Sequence, residues 1–234
     1  MGGRKREVWD EVRFQSPTPP ADRDVSKPLS MLSSAIVHIV DDDKQVRESL
    51  GDLLESVDYC VALYGSASDF LKAKLLDAPA CLVLDVRLPG TSGLELQEYL
   101  TKINVGIPVI LMTAFGDIPM SVRGMKLGAI DFLTKPIRDQ DLLDAVAAAV
   151  QKDRERRADL AQLAELQEKY ALLTVRERQV MALVAAGLMN KQVASELSIS
   201  EVTVKMHRGS LMRKLGARTT AALARMAEAL DLKR

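Results

Sequence analysis

The chain of 234 residues places phosphate- and cation-binding side chains at the ends of apolar runs: Asp41-Asp42-Asp43, Asp85, Thr113 and Lys135. Ile36–Val40 runs into the three aspartates, Cys81–Leu84 into Asp85, Ile107–Met112 into Thr113, and Ile130–Leu133 into Thr134-Lys135-Pro136. Short apolar runs bounded by turn residues read as strands buried on both faces of a parallel sheet. The carboxyl ends of such strands share one edge, where open α/β folds bind ligands. Alone, Asp85 reads equally well as a cap on the turn at Pro89-Gly90. Agreement of four strand ends argues for a site instead.

Clustered carboxylates raise one another's pKa unless a cation lies between them. A hard divalent ion such as Mg²⁺ (or Mn²⁺) suits a few carboxylates, water and a phosphate. Asp42 and Asp85 are the expected ligands with Asp41 in support, while Asp43 caps the helix that begins at Lys44. Lys135 can neutralise an incoming phosphoryl group, and the Thr113 hydroxyl can hydrogen-bond it. Asp85 is then the nucleophile and the product an aspartyl phosphate.

The elements that must hold these residues alternate. Helical spacing follows at Lys44–Val57, from Ser66 through Leu71, from Ser92-Gly93 through Leu100, at Asp117–Leu127 and at Asp139–Val150; Tyr59–Tyr64 is a further strand. Pro119 falls in a first helical turn, where it is tolerated. Five β–α repeats imply a doubly wound, five-stranded parallel sheet covered on both sides. Residues 35–150 form this domain. Residues 1–34, with Pro17-Thr18-Pro19-Pro20 and little apolar periodicity, read as a flexible extension, and Met31 is an alternative start.

No apolar run approaches the roughly 18 residues that span a bilayer, and the N-terminus lacks a signal-type apolar core. The two cysteines, Cys60 and Cys81, each lie in an apolar run and read as free thiols of a cytoplasmic protein. Overall charge is +0, yet 10 Lys/Arg face 14 Asp/Glu in 35–138, against 11 and 5 in 171–234. The basic part alone is suited to a polyanion.

Residues 151–170 are polar and helix-favouring, with Leu160, Leu163, Leu166 and Tyr170 at three- and four-residue spacing. They either prolong the preceding helix or form a separate linker helix. In 171–234, Thr174 to Glu177 is a capping box, Gly187 closes that helix, Asn190–Leu197 is a short second helix, and Ser200 caps a third that ends at Gly216. A fourth starts at Thr219 or Thr220. This all-α domain of four helices has helix-turn-helix form. On the third helix Val204, His207, Leu211 and Leu215 point inward, and Val202, Lys205, Met206 and Gly209 lie opposite, facing the major groove. Lys205 is placed to reach a base edge; Thr203 stands on the same helix. Lys191, Arg208, Arg213, Lys214 and Arg218 are expected phosphate contacts. Gly209 costs about 1 kcal/mol relative to Ala in a helix interior, which close backbone approach to DNA would justify.

Asp41-Asp42, Asp85, Thr113 and Lys135-Pro136, within Ile-Val-Asp-Asp-Asp, Leu-Asp-Val-Arg-Leu-Pro-Gly and Asp-Phe-Leu-Thr-Lys-Pro, resemble the receiver domain of two-component response regulators. Leu173-Thr174-x-Arg176-Glu177, Asn190-Lys191-x-Val193-Ala194, Ser200-x-x-Thr203-Val204-Lys205-x-His207 and Lys214-Leu215-Gly216 resemble the LuxR-type helix-turn-helix, closest to the FixJ-like branch of the NarL/FixJ class. Val175 stands where Pro is more usual. The resemblance implies a flavodoxin-like receiver that takes phosphate from a sensor histidine kinase onto Asp85, with Mg²⁺ also held by the Arg87 backbone carbonyl. It implies that Thr113, the Ala114 backbone and Lys135 receive the phosphoryl group and that Phe132 follows Thr113 inward. It further implies a homodimer on phosphorylation, binding to double-stranded promoter DNA, and RNA polymerase as a further partner. Phe115 and Arg87 are expected to shield the acyl phosphate, and the Phe115–Lys126 segment to relay the switch. The rival, a phosphohydrolase turning over Asp85, lacks a second carboxylate two residues on, where Arg87 stands.

Overall fold

A computed structural model describes residues 35–114 and 118–230. The 1–34 extension and the shielding role expected of Phe115 lie outside these described residues. The sheet has five parallel strands in the order β2-β1-β3-β4-β5: β1 Ile36–Val40, β2 Cys60–Tyr64, β3 Ala80–Asp85, β4 Val109–Thr113 and β5 Asp131–Thr134. Connecting helices are α1 Lys44–Ser56, α2 Ala67–Lys72, α3 Gly93–Lys102, α4 Ile118–Lys126 and α5 Asp139–Ala171.

Alternation along each strand sorts the core into two layers. Val37, Ile39, Cys81, Val83, Ile110 and Met112 face α1 and α5, whose Leu54, Leu142, Val146 and Val150 close over them. Val40, Leu82, Leu84, Val109 and Leu111 face the other way, under Phe70 of α2 and Leu94, Leu96 and Leu100 of α3. Strands with both faces covered are apolar almost throughout, with His38 buried inside β1, and the carboxylates and the threonine hydroxyl collect at the strand ends.

The strand bounds shift slightly from those the sequence suggests. β4 begins at Val109 because Pro108 has no N–H to give; its carbonyl accepts from the Leu82 amide at 2.9 Å. β3 extends through Asp85 itself. Asp43 caps α1, accepting from the Gln45 and Val46 amides, and Ser92 with Glu95 makes a reciprocal capping box on α3.

α5 is a single helix of 33 residues that runs unbroken through 150 and ends at Ala171. The chain divides into two compact units, Met1–Glu155 and Arg156–Arg234. In the first, buried Asp153 accepts from the Ala80 amide at 2.9 Å, tying α5 to the start of β3. In the second, Leu166 and Tyr170 pack against the core of α6 Val175–Ala185, α7 Asn190–Leu197, α8 Glu201–Leu215 and α9 Thr220–Ala229. That core is Val180, Met181, Val184, Val193, Val204, Leu211, Leu215 and Leu223. Thr174, Ser200 and Thr219 cap α6, α8 and α9. Gly216 ends α8 at φ 71°, a left-handed conformation that costs glycine little. No helix among the described residues is long and apolar enough to cross a membrane.

Candidate phosphoryl-acceptor pocket and nucleic-acid interface

At the carboxyl edge of the sheet, the ends of β1, β3, β4 and β5 bring Asp41, Asp85, Thr113 and Lys135 together. Lys135 follows β5, and its backbone N–H donates to the Thr113 carbonyl at 2.7 Å. Its Nζ donates to Asp41 Oδ2 at 2.6 Å and to Asp85 Oδ2 at 2.5 Å. Asp85 is 6% exposed and Asp41 0%. Each keeps a second oxygen on the backbone: Asp85 Oδ1 accepts from the Arg87 amide at 2.9 Å, and Asp41 Oδ1 from the Asp43 amide at 3.0 Å. Arg47 fixes the Asp41 carbonyl by donating to it at 2.5 Å.

The loop after β3 is shaped by Gly93. A Cβ there would lie 2.2 Å from the Asp85 carbonyl oxygen, so only glycine lets α3 start this close to the pocket. Its amide donates to the Val86 carbonyl at 3.0 Å, and the Val86 amide to the Met112 carbonyl at 2.8 Å.

Electrostatically the pocket is a shared compromise. Burial pushes the Asp41 carboxyl above its usual range, and the Lys135 hydrogen bond opposes that only in part. For Lys135 burial alone would lower the pKa, but its bonds to Asp41 and Asp85 outweigh burial and raise it. Asp41, Asp42 and Asp85 offer oxygens that all lie within 4.8 Å of one another, with Asp42 exposed at the mouth. Three hard oxygen donors at that spacing fit a divalent cation such as Mg²⁺.

Around the pocket, Thr113 is fully buried, while Ala114 and Arg87 are exposed. Phe132 on β5 is half-buried against the same core layer as Met120 of α4.

The second unit presents a different surface. Val202 and Met206 on α8 are 75% and 66% exposed, and Lys205 and Gly209 between and beyond them are exposed too. Nothing lies within 4 Å of a Cβ built on Gly209. On the other side of α8, Val204, Leu211 and Leu215 are buried and His207 is half-buried. On this face the exposed Val202 and Met206 flank the exposed Lys205. Thr203 shares a hydrogen bond with Ser200 at 2.8 Å. Lys191, Arg213 and Arg218 are exposed.

Two of the expected phosphate contacts have partners inside the domain. Arg208 donates to Asn190 Oδ1 at 3.0 Å and to the Thr220 hydroxyl, holding α7, α8 and α9 together. Lys214 Nζ donates to Glu177 Oε2 at 2.7 Å and to the Leu172 carbonyl at 3.2 Å. Glu177, a capping residue and a position of the LuxR-type motif in the sequence, is also the acceptor at the centre of this domain's buried hydrogen bonds. It is 3% exposed and accepts from Ser210, Lys214 and the Thr174 amide. Burial would raise its pKa, yet these hydrogen bonds outweigh it and bring the carboxyl down to about 2. Ser210 and Lys214 are four apart on α8, a spacing legible in sequence; their convergence on Glu177 is tertiary.

Known proteins carry the same two parts. Residues 37–147 match the response regulator receiver domain, and residues 171–227 match the bacterial regulatory proteins of the luxR family. Nodulation protein W of Bradyrhizobium diazoefficiens is 52% identical over 200 residues, spanning 86% of this chain and 88% of that one. The chain belongs to the response regulators. The transcriptional regulatory protein FixJ of Azorhizobium caulinodans is 43% identical over 197 residues, covering 84% of this response regulator and 93% of FixJ. The solved structure of the response regulator StyR matches with a TM-score of 0.71 at 49% identity, covering 83% of this chain and 98% of that one. Full-length FixJ from B. japonicum matches with a TM-score of 0.51 at 36% identity, covering 85% and 98%. This response regulator is thus a transcriptional regulator with a receiver and a LuxR-type DNA-binding domain. The phosphohydrolase alternative finds no support among these relatives.

Proposed function

We propose that Asp85 accepts a phosphoryl group from the phosphohistidine of a sensor histidine kinase, and that this governs how α8 meets promoter DNA. In the transfer, an Asp85 carboxylate oxygen bonds to phosphorus as the P–N bond to the kinase imidazole breaks, leaving an acyl phosphate. The observation that carries this reading is Lys135 Nζ lying against both Asp41 and Asp85, at 2.6 and 2.5 Å. A cation in that position is ready to turn from the carboxylate to an arriving phosphoryl oxygen. Asp41, Asp42, Asp85 and the Arg87 carbonyl would hold Mg²⁺, which when bound offsets the charge of the phosphoryl oxygens. The Thr113 hydroxyl and the Ala114 backbone receive the remaining oxygens, and Phe132 follows Thr113 inward.

In this division of labour, residues 35–150 receive the signal, 151–170 link, and 171–234 bind DNA. Lys205 reads a base edge with Val202, Thr203, Met206 and Gly209 beside it. Lys191, Arg208, Arg213, Lys214 and Arg218 sit along the phosphates, Arg208 and Lys214 doing so while keeping their internal partners. The phosphorylated protein forms a homodimer on paired half-sites and works in the cytoplasm, with RNA polymerase as a further partner. It is not a turnover enzyme on exogenous esters.

The test is incubation with acetyl phosphate and Mg²⁺, followed by intact-mass measurement and peptide mapping. One phosphoryl group per chain, located at Asp85 and absent from Asp85→Asn, is expected. Labelling elsewhere, or equal labelling of Asp85→Asn, would overturn the reading.

A further inference from the structure

Gln97 lies on the inner face of α3, 2% exposed. Its Nε2 donates to the Gly124 carbonyl of α4 at 3.2 Å. Its Oε1 is buried and, among the described residues, has no hydrogen-bond partner. The amide orientation is fixed by the contact, since only the nitrogen can face a carbonyl. A buried carboxamide satisfied on one side is worse for stability than an apolar side chain of the same size. Met or Leu would fill this place at less cost. Stability of this state therefore does not account for glutamine here.

The place itself is mechanically informative. A Cβ on Gly124 would lie 2.3 Å from Leu111 Cδ1, so α4 rests directly on β4 at that point. Leu111 is two residues before Thr113 on the same strand. The Gly124 carbonyl also accepts from the Leu127 and Ala129 amides, each at 3.1 Å, which makes it the end-stop of the helix. Beside it, Arg123 pairs with Glu98 at 3.3 Å, an exposed contact that adds little. Gln97 is thus the buried polar tie between α3 and the last turn of α4.

We propose that Gln97 is a two-position positioning residue of the switch: Nε2 holds α4 by Gly124 in the unphosphorylated protein, and Oε1 takes up a donor only when α4 has moved. This rests on the phosphorylation of Asp85 proposed above. In the resting state Gln97 Oε1 is unmet among the described residues, and in the active state it is met. Phosphorylation is helped by exactly the group that costs stability beforehand, so removing the amide should stabilise the resting form and blunt the response.

The experiment uses the full chain with beryllofluoride and Mg²⁺ as the phosphoryl mimic. With ¹³C-labelled glutamine, the Gln97 side-chain carbonyl resonance, identified by its loss in Gln97→Met, should move downfield on adding the mimic, as a carbonyl does on gaining a donor. Gln97→Met should keep or raise the Tm and bind the mimic normally, yet its gain in dimer affinity should fall about tenfold, the worth of one buried hydrogen bond. If other receiver signals move while the Gln97 carbonyl stays, or if Gln97→Met responds like wild type, the Gln97 proposal is overturned and the reading of Asp85 stands. If the mimic moves no signal at all, the Asp85 reading falls, and this one with it.

Discussion

Lys135 Nζ stands 2.5 Å from Asp85 Oδ2, although the strands that deliver the two residues are separated by β4. The contact exists because both strand ends open on one edge, and because Lys135 holds its backbone to Thr113 of the intervening strand. The lysine is only 17% exposed and serves two carboxylates at once.

Removing that cation should leave Asp41 and Asp85 facing each other without a counter-charge. Lys135→Met is expected to lose about 2 kcal/mol of receiver stability in the presence of a chelator. Millimolar Mg²⁺ should restore most of it by supplying the missing charge. Chemical denaturation with and without Mg²⁺ reads both values, and a variant equally stable in both conditions would contradict the arrangement.

His38 gives the receiver a dependence on mild acid. It is buried on β1, shares a hydrogen bond with Tyr64 at 3.1 Å, and stacks within the Tyr64–Phe70 cluster. Burial lowers its pKa from 6.5 to about 4. A depressed pKa means the unfolded chain takes up the proton first, so stability is intact above 6.5 and falls as pH drops toward about 4. The loss attributable to His38 should be at most about 3 kcal/mol across that window. Between those pH values the stability of wild type relative to His38→Phe should fall steadily as pH falls, and a difference that does not change with pH would contradict the assignment.

Glu177 ties α6 to α8, the helix proposed to meet DNA. Glu177→Ala should destabilise the C-terminal unit by about 2 kcal/mol, since Ser210 and Lys214 lose a buried acceptor. With the carboxyl at about 2 rather than 4.5, the contribution is present above 4.5 and is lost as pH falls from there toward about 2. Amide NMR signals of α6–α9, followed in the full chain on acidification, check the window. Glu177→Gln should flatten it.

Gly209 separates a folding role from a binding role. With open space around it on an exposed helix face, Gly209→Ala should raise helix stability by roughly 0.5–1 kcal/mol. If DNA backbone or base approaches there, the same variant should weaken promoter binding about tenfold. Lys205→Ala should relax base preference at one position, whereas Arg213→Ala or Arg218→Ala should weaken binding to all sequences and reduce the salt dependence. Tighter binding by Gly209→Ala would contradict the proposed docking face.

Much of this was legible in the residues. β1 and α8 fall where apolar periodicity and the caps Ser200 and Gly216 put them, because those signals are local. The strand-end convergence of Asp41, Asp85 and Lys135 was also readable, since parallel β–α topology leaves it little freedom. What escaped was tertiary. The continuity of α5 turns on whether 151–170 breaks, and its uncapped polar sequence allowed either outcome. Lys214 and Arg208 read in sequence only as phosphate contacts, because their internal partners Glu177, Asn190 and Thr220 are distant along the chain. His38 looked like one more residue of an apolar strand, and the half-satisfied amide of Gln97 has no sequence signature at all.

The central claim is that a covalent anion on Asp85 governs DNA binding by α8. The most direct measurement is promoter affinity and oligomer size of the full chain, with and without acetyl phosphate and Mg²⁺, for wild type and Asp85→Asn. The account predicts that phosphodonor raises both affinity and dimer content in wild type and neither in Asp85→Asn. Equal affinity of wild type in both conditions, with Asp85 shown to be labelled, would contradict it.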